Sequence, residues 1–144
     1  MKKEDASKLA QKFNDAVADK DLDRFLQFFD NSCEIELMDL KLRGKDGAEK
    51  WFKWMFSYCE KAEFDYLNTA FNEDTFFVEY VLKADMKGGD SIKSKQAVVI
   101  GFEDKLVKSL RLYFDRLDFA YSVANFPSRL IIDQIVKKST EGLA

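Results

Sequence analysis

The sequence predicts an α+β fold in which helices pack on one side of an antiparallel sheet. Two patterns carry this prediction: residues 6–59 place apolar side chains mostly at helical spacing, and residues 63–115 resemble four strands joined by short turns. The chain has 144 residues with one proline and six glycines, so long elements are expected. We expect a single domain over residues 1–144, with a core of about 6–118 and a C-terminal extension over 119–144.

Three helices are expected before the main sheet. Apolar residues recur every three or four positions in each of them, which is typical of one buried helix face. Asp21 and Asp46 are suited to cap the second and third helix. The three segments are residues 6–18, 22–29 and 46–59. Residues 33–39 alternate polar and apolar side chains, which predicts a half-buried strand between the second and third helix.

A meander of four antiparallel strands is expected next, because short turns join antiparallel neighbours. The strands are residues 63–71, 75–84, 91–102 and 105–115. Polar or glycine-rich turns separate them. After Leu117 the pattern weakens, and Pro127 suits the first turn of a last helix over residues 128–138.

The composition excludes several kinds of site. The chain has no histidine, which excludes histidine nucleophile pairs, histidine bases and histidine-ligated metals. Cys33 and Cys59 are too few for a zinc site. Two free buried thiols are expected, since a disulfide would require the fold to bring them together. We therefore predict no metal and no cofactor.

The charge balance and the hydropathy argue against nucleic acid and membrane partners. Lys and Arg total 23 against 26 Asp and Glu, a net charge of −3, whereas nucleic-acid binders concentrate positive charge. No stretch approaches the ~18 apolar residues of a membrane span. Glu4 and Asp5 interrupt any signal-peptide pattern, so a cytoplasmic location is expected. Asp115 and Asp118, with neighbouring arginines, are expected to form surface ion pairs.

Three short motifs follow one another along the chain. They are residues 10–30, with a helix junction at Asp19-Lys20-Asp21-Leu22, then Arg43–Ala48, then Leu110–Leu117. In this order they resemble the nuclear transport factor 2-like superfamily, in its SnoaL-like and ketosteroid isomerase-like branch, over about residues 6–118. The resemblance implies a cone-shaped, curved sheet closed by three helices around a deep apolar pocket.

The catalytic groups of that superfamily do not carry over to this chain. By the resemblance, Phe13 stands where ketosteroid isomerase has an oxyanion-hole tyrosine, and Leu37 stands where it has its catalytic aspartate. Leu112 stands where SnoaL-like cyclases and limonene epoxide hydrolase have an aspartate. All three positions are apolar, so the resemblance implies a pocket without transferring a known mechanism.

Strand alternation predicts which side chains line such a pocket. Most inward positions are aliphatic or aromatic, and the polar ones are Tyr66, Asn68, Tyr80, Gln96 and Asp39. Gln96 is the first choice for a ligand contact, because a buried amide without a partner costs about 1–3 kcal/mol. The predicted ligand-binding residues are Gln96, Tyr66, Asn68, Tyr80, Trp54, Leu112 and Phe13.

Each of these polar residues also has a purely structural interpretation. Tyr66 and Tyr80 can be core aromatics whose hydroxyl reaches a backbone group, and Asn68 can prepare the next turn. Trp54 can cover the pocket mouth or join a partner surface. Asp39, Tyr66 and Tyr80 are the candidates for acid–base chemistry, although an aspartate is more often found at an exposed strand end.

Two functions remain open at this point, and whether the chain is an enzyme is undecided. The first is a SnoaL-like protein that binds a hydrophobic small molecule in an apolar pocket, or a divergent isomerase, cyclase or lyase. The second is a non-catalytic homodimeric interaction module of the same fold. Phe77, Val81 and Tyr113 favour the second, because they make the outer sheet face more apolar than a solvated face should be.

Overall fold

The α+β class is confirmed in the computed structural model, which describes residues 1–143. Five helices and six strands form within that range. In chain order they are α1 (Lys3–Ala18), α2 (Leu22–Leu26), β1 (Phe29–Leu37), β2 (Leu40–Arg43), α3 (Gly44–Tyr58), β3 (Cys59–Asn72), β4 (Thr75–Met86), β5 (Ser91–Glu103), β6 (Leu106–Phe114), α4 (Leu117–Val123) and α5 (Phe126–Ser139).

The six strands form one sheet in the order β2-β1-β6-β5-β4-β3. The expected meander is present, since β3, β4, β5 and β6 pair with their sequence neighbours in antiparallel fashion. The sheet is mixed because β1 runs parallel to β6, which the expectation of an antiparallel sheet did not include. These two strands are joined by a long stretch of chain rather than a hairpin, so no turn dictates their relative direction.

Aromatic side chains form the centre of the core, between α1, α2, α3 and β1. Phe25 is fully buried. Its ring lies 5.0 Å from those of Phe13 and Phe52, 5.1 Å from that of Phe29 and 5.8 Å from that of Trp51. Such tilted and edge-on contacts add to the free energy gained by burying the apolar surface.

Two elements, β2 and α4, were not expected from the sequence. Met38 takes a left-handed backbone conformation, with φ of 61°, and so turns β1 back into the short strand β2. The short helix α4 follows β6 after only two residues, because Arg116, which precedes its first residue, already has a helical backbone conformation. Within residues 1–143, no helix combines the length and the apolar character that a membrane crossing requires.

The C-terminal helix α5 lies on the outside of the molecule. Arg129 joins it to the rest of the chain, with Nε donating to the Ala124 carbonyl at 3.1 Å and its guanidinium 4.8 Å from the Tyr121 ring. Leu130 and Ile131 remain more than half exposed. The helix therefore contributes little to the core.

Candidate functional site

A cavity of about 660 Å³ lies between the inner face of the sheet and the helices. Successive residues on a strand point to opposite faces, so every second residue of β4, β5 and β6 lines it. The strand residues at its wall include Val78, Tyr80 and Leu82 of β4, Gln96, Val98 and Ile100 of β5, and Leu110, Leu112 and Phe114 of β6. Protein interiors are normally close-packed, so an interior space of this size needs an explanation.

Three helices close the cavity on the other side. From α1, Phe13 and Val17 lie one turn apart and face the sheet. From α3, Trp51 and Met55 do the same. From α4, three further apolar side chains line the cavity: Phe119, Ala120 and Val123. The C-terminal extension thus closes part of the cavity, a role that sequence reasoning did not assign to it.

Gln96 and Tyr80 are the deeply buried polar residues of the sheet wall, and both are more than nine-tenths buried. They are direct cross-strand partners, and the Tyr80 hydroxyl donates to Gln96 Oε1 at 2.8 Å. The Phe64 ring stands edge-on to Tyr80, with centroids 5.4 Å apart. Burial raises the pKa of Tyr80 far above its usual range, so the phenol stays neutral at physiological pH.

Tyr66 lines the cavity but uses its hydroxyl to hold β3 against α1. The hydroxyl donates to the Ala10 carbonyl at 3.3 Å and accepts a hydrogen bond from the Asn14 amide. Burial of the phenol, reinforced by the Asp15 charge, raises the pKa of Tyr66 to about 12. With its hydrogen committed to a backbone carbonyl, the group is positioned for a structural role.

Asn68 does not face the cavity, which corrects the expectation drawn from simple alternation. A bulge interrupts the pairing of β3 with β4 between Tyr66 and Asn68. The extra residue, Leu67, reverses the face of every later position. Asn68 is therefore exposed on the outer side, where its amide donates to Glu79 Oε2 at 2.7 Å.

The cavity mouth carries the charged lining groups. Asp39 lies in the turn between β1 and β2, with its side chain 82% exposed, and forms an ion pair with Arg116. A carboxylate in this position is solvated, so it lacks the dry surroundings that would make it a strong general base. Trp54 is about half exposed at the same mouth, with its ring 5.8 Å from that of Tyr58.

The three positions at which the resemblance would place catalytic groups all line the cavity. Phe13, Leu37 and Leu112 are among its wall residues, and none carries a polar side chain. Phe13 also packs against the core ring of Phe25. At these three positions the cavity wall is therefore apolar.

Within the described residues 1–143, Asp118 forms no surface ion pair, contrary to the sequence-based expectation, and its neighbour Arg116 pairs with Asp39 instead. Its Oδ2 accepts a hydrogen bond of 2.7 Å from the Ser94 hydroxyl, and Ser94 is buried on the inner face of β5. Ser94 lies two residues before Gln96 and so faces the same side of β5, which means that strand alternation alone could have identified it as an inward-facing polar residue. Nothing in the local sequence around Asp118 indicates that α4 folds back over this strand.

No metal cluster accompanies the cavity among residues 1–143, and the other depression compared with it is a polar one. Across residues 1–143 no three Asp, Glu or Cys side chains group closely enough to hold a metal ion. A separate depression of about 450 Å³ lies beside the first turn of α3, open to solvent and lined mainly by polar residues. The apolar cavity is therefore the stronger candidate.

The family of the chain follows from its sequence and agrees with this geometry. The sequence model of the SnoaL-like domain matches residues 10–110, most of the length of the chain. The chain belongs to the SnoaL-like domain family. Among curated proteins, none matches the chain.

Solved structures share the SnoaL-like fold at low sequence identity. A protein of unknown function from Burkholderia pseudomallei, named as NTF2-like, superposes with a TM-score of 0.77 at 12% identity, covering 84% of this chain and 98% of that one. A protein from Xanthomonas campestris, named as a candidate polyketide cyclase, gives 0.75 at 15% identity with the same coverages. A protein from Catenulispora acidiphila with a ketosteroid isomerase-like fold, solved with trimethylamine, gives 0.68 at 12% identity and covers 74% of this chain and 85% of that one. At these identities the likeness concerns the fold alone.

Proposed function

We propose that this SnoaL-like chain binds a hydrophobic small molecule in the cavity, with Tyr80 and Gln96 orienting the ligand's polar group. The observation that carries the proposal is the 660 Å³ apolar cavity, which contains two deeply buried polar side chains. Ligand sites are typically concave, largely apolar and supplied with a few convergent polar groups.

Binding is favoured over catalysis because, among residues 1–143, the acid and the amine of the lining, Asp39 and Lys50, are both exposed rather than buried in the cavity. Asp39, the acidic residue of the lining, lies at the solvated mouth beside Arg116. The Tyr66 hydroxyl is held by α1, and the Tyr80 phenol stays neutral. An isomerase, cyclase or lyase of this type would need a group that transfers a proton to or from the substrate. The Tyr80 hydroxyl also has its hydrogen committed, to Gln96 Oε1, so it can accept a hydrogen bond from a ligand but has no proton free to transfer.

The binding proposal is tested by filling the cavity from one strand. Val98 lies on the wall, opposite Leu112 of β6, and its neighbour Val99 points to the outer face. We expect Val98→Trp to weaken binding of the neutral fluorophore N-phenyl-1-naphthylamine at least tenfold, because the indole would occupy the ligand volume. Val99→Trp is the matched control and should change the affinity less than twofold. Equal binding by both variants, with urea unfolding showing both folded, would contradict the proposal.

A second candidate function, a homodimeric interaction module, is favoured by the outer face of the sheet. Phe77 and Tyr113 are 43% and 47% exposed there, whereas a solvated sheet face is normally polar. We expect Phe77→Lys to shift a dimer toward monomer in sedimentation velocity at micromolar concentration. A monomeric wild-type protein at that concentration would contradict this candidate and leave ligand binding unaffected.

The proposed compartment is the cytoplasm. Cys33 and Cys59 are both buried and free. Free thiols of this kind are usual in reducing compartments, where disulfides are rare.

A further inference from the structure

A chain of hydrogen bonds connects the cavity wall to helix α4. The Tyr80 hydroxyl donates to Gln96 Oε1 at 2.8 Å, and Gln96 Nε2 donates to Ser94 Oγ at 3.3 Å. The Ser94 hydroxyl in turn donates to Asp118 Oδ2 at 2.7 Å. Tyr80 and Gln96 line the cavity, whereas Ser94 and Asp118 are not among its lining residues. We call these four residues the Tyr80–Asp118 chain.

The direction of every hydrogen bond in this chain follows from the carboxylate at its end. An ionised carboxylate can only accept, so Ser94 must give its one hydroxyl hydrogen to Asp118. Ser94 can then only accept from Gln96, which turns the Nε2 side of the amide toward Ser94. The Oε1 side consequently faces Tyr80, and the phenol must donate to it. Asp118 thereby determines the hydrogen-bonding character that Tyr80 shows to the cavity.

Two hydrogen-bonding positions are left over at the wall. Tyr80 Oη has given its hydrogen away and keeps lone pairs that accept, while Gln96 Nε2 has a second N–H that donates. Within residues 1–143 the Tyr80–Asp118 chain supplies the hydrogen bonds made by these two groups. Their surroundings are apolar, with the Phe64 ring edge-on to Tyr80 and Val98 next along the wall.

We infer that the cavity selects a hydrophobic alcohol or phenol, and that Asp118 is the residue that determines this specificity from outside the cavity. The ligand hydroxyl donates to Tyr80 Oη and accepts from Gln96 Nε2, so both free positions are satisfied by one group. An ether or ketone accepts only and leaves the Tyr80 oxygen without a donor. A carboxylate ligand also has no hydrogen to donate, so its negatively charged oxygens would face the lone pairs of Tyr80 Oη and be repelled. This inference rests on the proposed binding function and defines its ligand class.

Three bicyclic probes of similar shape test the inference: 2-naphthol, 2-methoxynaphthalene and naphthalene. We expect wild-type protein to bind 2-naphthol about tenfold more tightly than 2-methoxynaphthalene, which is the size of effect that one net neutral hydrogen bond supports. Affinities are measured by displacement of N-phenyl-1-naphthylamine. Naphthalene reports the apolar contribution alone.

Two variants test the role of Asp118. Asp118→Asn keeps the shape of the side chain but allows either hydrogen-bond direction, and Ser94→Ala breaks the connection. In both, the preference for 2-naphthol should fall to threefold or less, with naphthalene binding unchanged. Asp115→Asn is the matched control: Asp115 accepts from the Leu117 backbone N–H at the start of the same helix and is not among the residues that line the cavity. It should retain the full preference.

The outcomes separate this inference from the proposed function. If all three probes bind wild-type protein equally, the ligand class is wrong and the binding function stands. If the preference exists but survives Asp118→Asn and Ser94→Ala, the role of Asp118 is wrong. If no probe binds, the proposed function fails, and this inference fails with it. The wild-type comparison needs no variant, so a folding defect in Ser94→Ala cannot hide the result.

Discussion

The hydrogen bond between Tyr80 and Gln96 predicts a non-additive pair of substitutions. Tyr80→Phe leaves the buried Gln96 Oε1 without its donor, and Gln96→Leu leaves the Tyr80 hydroxyl without its acceptor. A buried polar group that loses its partner costs about 1–3 kcal/mol of unfolding free energy. Both side chains are more than nine-tenths buried, so solvent cannot replace the missing partner. Each single variant should therefore be destabilised by about that amount.

The double variant should be less destabilised than the sum of its parts. With both partners apolar, neither group is left unpaired, and Ser94 still donates to Asp118. We expect a coupling free energy of about 1–2 kcal/mol, within the usual range for residues in contact.

Urea unfolding followed by far-ultraviolet circular dichroism measures the coupling, provided that the dependence on urea stays the same among variants. Tyr113→Phe is the control, because Tyr113 is exposed on the outer face of β6 and its change should stay within about 0.5 kcal/mol. Additive costs in the double variant would refute the hydrogen bond and, with it, the chain that ends at Asp118.

Three further predictions concern stability. Phe25→Ala should cost about 3–5 kcal/mol in urea unfolding, because a fully buried ring is removed, whereas the 74%-exposed Phe126 should tolerate alanine with little change. Because the pKa of Tyr66 rises from 10.0 to about 12 on folding, its protonated phenol stabilises the fold fully below pH 10 and progressively less as the pH rises toward 12. Wild-type protein should therefore lose urea midpoint over that interval, and Tyr66→Phe should lose less. An identical pH profile for the two proteins would contradict this prediction. Hydrogen bonds from the side chain and backbone of Ser32, aided by Lys108, lower the pKa of Asp30 from 3.8 to about 2, so stability should fall as pH drops through that interval. Asp30→Asn should remove this part of the acid sensitivity, and a variant with the same acid profile as wild type would show that the assignment is wrong.

Regular periodicity made much of the fold predictable from the sequence. In β5 the burial alternates strictly from Ile92 to Ile100, and in the sequence the exposed Lys93 and Lys95 mark the outward face of that alternation. The helical spacing of α1 and α3 identified the helices that face the sheet. These features depend on neighbours within a few residues, so the local sequence contains the information.

The features that sequence reasoning missed depend on contacts between distant parts of the chain. The parallel pairing of β1 with β6 joins segments about 75 residues apart, as in Ile35 with Leu110. The bulge at Leu67 adds one residue to β3, and no glycine or proline marks it in the sequence. Simple alternation therefore placed Asn68 on the inner face, whereas it lies on the outer face. Likewise, Asp118 looks like an ordinary surface carboxylate until α4 is placed over Ser94.

The position of a bound probe tests the central claim most directly. N-phenyl-1-naphthylamine can be added to isotope-labelled protein and its nuclear Overhauser contacts to methyl groups recorded by NMR. Binding in the cavity predicts contacts to Val98, Leu112 and Ala120, which line its wall. Contacts confined to the exposed Leu130 and Ile131 of α5 would mean that the probe binds the outer surface, and would contradict the account.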